Sequence, residues 1–166
     1  EAEMKWMNWG KERTTKGELT ALFNAGANCP AFGAPDFDKM YGEKTTFEDI
    51  APLLLQIPRI TRVVAVNRFG SGQENLGTRS TAVTERARSL TTITEEIRAF
   101  LTAAKIEEYV CIGHSLGGPL TVSLGYAQED ADQHQMAGAV LLDPLPLDIR
   151  IILTSECAAL QNVLLQ

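Results

Sequence analysis

The chain has 166 residues, of which 45% are apolar and 22% charged, and a formal net charge of −6. This length and balance suit one globular domain with a core of its own and argue against a disordered chain. The acidic charge, with no basic cluster, disfavours a nucleic-acid or anionic-membrane surface, and no apolar run is long enough to span a bilayer.

In chain order, Met4 to Trp9 is short and aromatic and reads as an edge strand. Gly17 to Asn24 reads as the next strand and empties into Ala25-Gly26-Ala27-Asn28 and a loop punctuated by Pro and Gly as far as Pro35. Phe47 to Leu55 has helical spacing, with Thr45 or Thr46 as candidate caps and Pro58 as the stop. Ile60 to Val66 is a β-branched run, which predicts a buried strand ending at Asn67-Arg68-Phe69-Gly70-Ser71-Gly72. Val83, Ala87, Leu90, Ile93, Ile97, Leu101 and Ala104 recur at steps of three and four, the pattern of a long amphipathic helix with a weak point at Thr91-Thr92. Tyr109 to Ile112 reads as a strand, Pro119 to Ala127 as a helix, and Met136 to Leu142 as a strand closed by Asp143-Pro144. Leu147 to Gln166 is apolar with helical spacing.

Strands alternate with helices from Leu19 onward. The expected fold is therefore α/β: a mainly parallel sheet of about five strands with helices on both faces, a three-layer sandwich. Residues 1–146 form the expected core, and 147–166 a helical tail, either the start of a lid or a helix covering an open sheet edge. In such sheets ligands bind beyond the C-terminal ends of the strands. The turns at Asn24–Asn28, Asn67–Gly72 and Ser115 all arrive at that edge.

The stretch that carries chemistry is Gly113-His114-Ser115-Leu116-Gly117. It has the G-x-S-x-G form, with an apolar strand before it and a helix after it. A serine in such a turn is held up at the strand end on a strained backbone, and its close neighbours must lack bulk. The helix that starts there contributes free N–H groups and a partial positive charge. The competing reading is a glycine-rich turn whose serine merely caps the helix.

On these residues the chain resembles the α/β-hydrolase superfamily. Gly113 to Gly118 looks like that family's nucleophile elbow. Val63 to Gly72 looks like its strand and glycine turn, which usually carries Asp where this chain has Asn67. Ala25-Gly26-Ala27 sits where the family commonly has His-Gly followed by an oxyanion-hole residue, and Val140 to Pro144 looks like the strand after the elbow helix. The resemblance implies a partial α/β-hydrolase fold, with Ser115 as nucleophile and the backbone N–H groups of Leu116 and Ala27 as the oxyanion hole. It further implies a small-molecule carboxylic ester as the default substrate, cleaved through an acyl-enzyme.

A serine needs a base. His114 adjoins Ser115, but neighbouring side chains in an elbow diverge. His134 follows a helix of about twelve residues, about 18 Å long, and is expected near the opposite end of the sheet. The family's order is Ser, acid, His, and this chain stops at Gln166, about where the last two would begin. The triad histidine is therefore expected to be absent, leaving either a fragment of a longer hydrolase or a short form without a full triad. Asp143 is the candidate acid, with a simple turn as its alternative; Asp148 is a weaker candidate. If the site is not catalytic, the same scaffold would serve as a binding protein for a small apolar ligand, or would be an inactive fragment.

Cys29, Cys111 and Cys157 fit neither a zinc site nor a disulfide framework, and Cys111 is expected to be a buried thiol. Neither metal nor cofactor is implied, since Gly70-Ser71-Gly72 lacks both the dinucleotide and the P-loop forms. The odd cysteine count and the lack of a targeting pattern in Glu1 to Lys5 lean toward the cytoplasm, although a chain that does not start with Met leaves upstream processing open. An open sheet edge makes self-association an expectation.

Overall fold

The computed structural model describes residues 5–12, 15–26, 46–68, 89–127 and 134–146. These form five strands, β1 (Lys5–Gly10), β2 (Leu19–Asn24), β3 (Ile60–Asn67), β4 (Glu108–His114) and β5 (Gln135–Leu142), and three helices, α1 (Thr46–Leu54), α2 (Leu90–Ala103) and α3 (Gly117–Tyr126). The expected tail at 147–166 lies outside them.

The strands make one sheet in the order β1-β3-β2-β4-β5. β1 runs antiparallel to β3, and the other pairs are parallel. A parallel pair cannot be closed by a tight hairpin, so the intervening chain must cross over a face of the sheet. The apolar runs in β2 and β3 follow from that arrangement: with both faces covered, every residue of β2 is buried and β3 is nearly so.

Two cores result, one on each face. α1 lays Phe47 and Ala51 over Ala21, Phe23, Val63, Ala65 and Ile112. Phe47 packs its ring 5.1 Å from Phe23 and 4.5 Å, edge-on, from Trp9 of β1. On the opposite face α2 and α3 cover Leu22, Val64, Val66, Tyr109 and Cys111 with Ile97, Phe100, Leu101, Leu120 and Leu124. The Thr94 and Ser123 hydroxyls, 2.8 Å apart, join α2 to α3. The expected helices on both faces are present.

Two local readings change. The helix expected from Val83 begins instead at Leu90: Ser89 is extended (φ −67°, ψ 157°), and its side chain accepts the Thr92 N–H. A residue in that conformation cannot continue a helix, and a serine hydroxyl there satisfies an otherwise orphaned donor. The apolar period runs across this cap, so periodicity alone overshoots it; residues 83–88 lie outside the described set. α1 stops at Leu54, short of Pro58, and Thr46 is already helical rather than its cap. Pro52 inside α1 can make no backbone donation to Glu48, and the chain leaves through tightened turns at Gln56 and Ile57. β5, at the edge of the sheet opposite β1, is largely uncovered among the described residues: Val140 is 45% and Leu141 43% exposed.

Candidate active site

β4 delivers the chain to the sheet's C-terminal edge, and α3 begins two residues after Ser115. Ser115 itself has φ +52°, in the left-handed region that non-glycine residues rarely adopt. That conformation turns the chain sharply from strand to helix. The Ser115 N–H donates to the Leu142 carbonyl at 3.2 Å, and the Ser115 carbonyl accepts from Gly118 at 2.9 Å and Leu145 at 3.0 Å. The backbone of the turn is therefore pinned to β5, while its side chain is only partly buried. Among the described residues neither the Ser115 hydroxyl nor the Leu116 N–H has a hydrogen-bond partner. Leu116 is the N-cap residue and its side chain offers no cap, so no N-cap side chain covers the positive end of α3 beside Ser115.

The flanking glycines are required sterically. A Cβ on Gly113 would lie 2.4 Å from the Gly117 carbonyl oxygen and 2.5 Å from Thr121 Oγ1. A Cβ on Gly117 would lie 2.0 Å from the Asn24 carbonyl oxygen and 2.9 Å from that of Ala25. The end of β2 thus passes directly over the elbow. Gly26, just beyond it, comes so close that an added Cβ would sit 3.2 Å from Ser115 Cβ and 3.5 Å from Ser115 Oγ. Ala27, the expected second oxyanion donor, lies outside the described residues, but the segment leading to it arrives beside the serine.

A buried polar cluster holds these pieces in register. Asn24 Nδ2 donates to Cys111 Sγ at 3.2 Å and to Thr121 Oγ1 at 3.3 Å, and Sγ and Oγ1 are themselves 3.3 Å apart. It links the end of β2, the middle of β4 and the second turn of α3. Burial pushes the Cys111 thiol up to about 12, against the opposing effect of its bonds to Thr121 and Asn24. The thiol is a structural group rather than a nucleophile. On the adjoining loop, the Arg68 guanidinium donates to the Ala25 carbonyl at 2.6 Å and to the Gly26 carbonyl at 2.5 Å. Sequence reasoning missed Asn24, Thr121 and Arg68. The available signal was a polar residue ending an otherwise apolar strand, in Asn24 and again in Asn67-Arg68.

The two histidines separate as their positions require. His134 lies at the far end of the sheet, where its Nδ1 is 2.7 Å from the Ile106 carbonyl and its Nε2 2.7 Å from Thr102 Oγ1. His114 is the last residue of β4, and its Nδ1 would lie 3.6 Å from a Cβ on Gly26; it makes no hydrogen bond to Ser115. Asp143 follows β5 on the same edge as Ser115, one step past the His114–Leu142 pair. It is exposed and left-handed (φ +43°), a conformation that Asp tolerates better than most residues. Its turn brings Pro144 over Gly118, where a Cβ would meet Pro144 Cβ at 2.4 Å. The structure brings Asp143 and Ser115 to one edge but joins neither to a histidine among the described residues. Among these residues there is also no cluster of His, Cys, Asp or Glu able to hold a metal, and no helix long and apolar enough to cross a membrane.

No family model and no curated protein matches the sequence. Solved structures do match. A "probable hydrolytic enzyme" of Pseudomonas aeruginosa superposes with a TM-score of 0.62 at 20% identity, over 90% of this chain and 39% of that one. A carboxylesterase of Nitrososphaera gargenis superposes at 0.59 with 15% identity, over 86% and 42%. A 1H-3-hydroxy-4-oxoquinoline 2,4-dioxygenase superposes at 0.55 with 15% identity, over 86% and 43%. The chain therefore has the α/β-hydrolase fold, and it spans about two fifths of the length of these three structures.

Proposed function

We propose that this chain carries the nucleophile and oxyanion portion of a serine hydrolase site acting on a small-molecule carboxylic ester. The observation that carries the reading is Ser115: left-handed at the strand–helix junction, with a hydroxyl and a following amide that no described residue engages. The fold by itself selects no reaction, since a dioxygenase shares it with the hydrolases.

In this reading Ser115 Oγ attacks the ester carbonyl carbon and gives its proton to a base. The carbonyl oxygen becomes negative and lies before the Leu116 N–H at the open end of α3, with the amide of Ala27 as second donor. Donors fixed in advance act where charge develops, and losing one costs about 3–4 kcal/mol in a well-studied protease. The tetrahedral species expels the alcohol and leaves an acyl group on Ser115, which water then hydrolyses. Asp143 is the proposed acid of the site. No described histidine hydrogen-bonds Ser115, so the 166-residue chain alone is expected to turn over p-nitrophenyl esters very slowly.

The same observation favours a second reading, a non-catalytic protein that binds a small ligand against the elbow. A fluorophosphonate probe separates the two. Labelling of the wild-type chain that disappears in Ser115→Ala supports an activated nucleophile. A folded wild-type chain labelled no faster than that variant supports the binding reading.

A further inference from the structure

We propose that Arg68 is a positioning residue for the oxyanion pocket, a role that rests on Ser115 being the nucleophile. Arg68 directly follows β3 and so stands at the same sheet edge as the elbow. Its two terminal nitrogens bind two successive carbonyls, Ala25 at 2.6 Å and Gly26 at 2.5 Å. Both bonds are short and charge-assisted, and the guanidinium fork fits a pair of acceptors as a single ammonium does not.

Both carbonyls belong to the segment that passes beside the elbow. The Ala25 oxygen lies 2.9 Å from where a Gly117 Cβ would be, over the first turn of α3, and a Cβ on Gly26 would lie 3.5 Å from Ser115 Oγ. Each oxygen carries partial negative charge, and one facing the pocket would oppose the oxyanion that Leu116 is placed to receive. Arg68 occupies both oxygens with positive charge and fixes the orientation of both peptide planes. In a planar trans peptide the N–H points opposite to the C=O, so the Gly26 N–H, coplanar with the Ala25 carbonyl, is aimed away from Arg68. That N–H has no hydrogen-bond partner among the described residues. One side chain thus sets the polarity of the loop that faces the serine.

The test measures fluorophosphonate inactivation of the full 166-residue chain, separating the maximal rate from the concentration that gives half of it. Wild type, Arg68→Gln and Arg68→Lys are compared at a temperature well below their unfolding transitions, with Ser115→Ala as background. The expected result is a maximal rate roughly 10–100-fold lower in Arg68→Gln, less than or equal to the loss of a whole donor. The half-saturating concentration stays unchanged, and Arg68→Lys recovers part of the rate. A purely structural arginine would lower the unfolding midpoint and leave the maximal rate of the folded protein alone. Wild-type labelling with an undiminished rate in Arg68→Gln overturns the positioning role and leaves Ser115 standing. Wild-type labelling no faster than Ser115→Ala overturns both. If Arg68→Gln does not fold, Arg68→Lys decides: a reduced maximal rate supports the role and a wild-type rate overturns it.

Discussion

Replacing Ser115 by glycine should stabilise the protein relative to replacing it by alanine, reversing the usual order. The reason is the backbone. At φ +52° a residue with a Cβ crowds its own carbonyl, at a cost of about 1–2 kcal/mol that glycine escapes. Against this, glycine gives the unfolded chain more freedom, which costs about 0.4–1 kcal/mol. A partly buried Cβ, lying against Gly26, is also lost, and a methylene of full burial contributes about 0.8 kcal/mol. The balance favours glycine by about 0.5 kcal/mol, with the backbone strain as the larger contribution. At an ordinary helical or strand position the sign is opposite, with glycine worse by about 0.5–1 kcal/mol. Urea unfolding of the two variants, compared at constant slope, reads the difference directly. Both variants lack the hydroxyl, so activity cannot confound the comparison. An alanine variant more stable than the glycine variant by the ordinary helical or strand margin would mean that Ser115 is unstrained and that the elbow reading is wrong.

Gly117→Ala should destabilise the fold by about 3 kcal/mol or more, because the new methyl meets backbone at Asn24 rather than a movable side chain. It should also abolish fluorophosphonate labelling in whatever fraction remains folded. Alkaline pH should destabilise the protein through Cys111. Its folded value lies near 12 against an ordinary 9.0, so above pH 9 the unfolded chain releases a proton that the folded chain keeps. Stability is therefore fully present below pH 9 and falls as pH rises toward 12, by up to about 1.4 kcal/mol per unit. Cys111→Ala should flatten the decline between pH 9 and 10, before Tyr109, which burial also raises from 10.0, begins to contribute. An unchanged slope in chemical-denaturation series would show that the thiol is not held protonated.

Much of the site was legible because its constraints are local. The Gly113-His114-Ser115-Leu116-Gly117 pattern between a strand and a helix is a statement about which backbone can turn that tightly, and the observed φ of Ser115 obeys it. The strands read from β-branched runs lie where those runs are, to within about two residues at their ends. The start of α2 was not legible from periodicity, since Leu90 and Ile93 continue a spacing already present at Val83 and Ala87; a single serine in extended conformation set the boundary. Nor was the exposure of β5 legible, because an apolar strand reads the same whether or not a neighbour covers it.

The sequence by itself determined the alternation of strands and helices and the serine's turn, since apolar period, glycine placement and β-branching act within a few residues of one another. Only the tertiary structure decided what surrounds that turn. It brought Asn24 against Cys111 and Thr121, 87 and 97 positions away, and set Arg68 on the carbonyls of Ala25 and Gly26. Such contacts depend on which strands lie side by side, in the order β1-β3-β2-β4-β5. That order is chosen by burying both faces of the sheet at once, a property of the whole chain that no short stretch of it encodes.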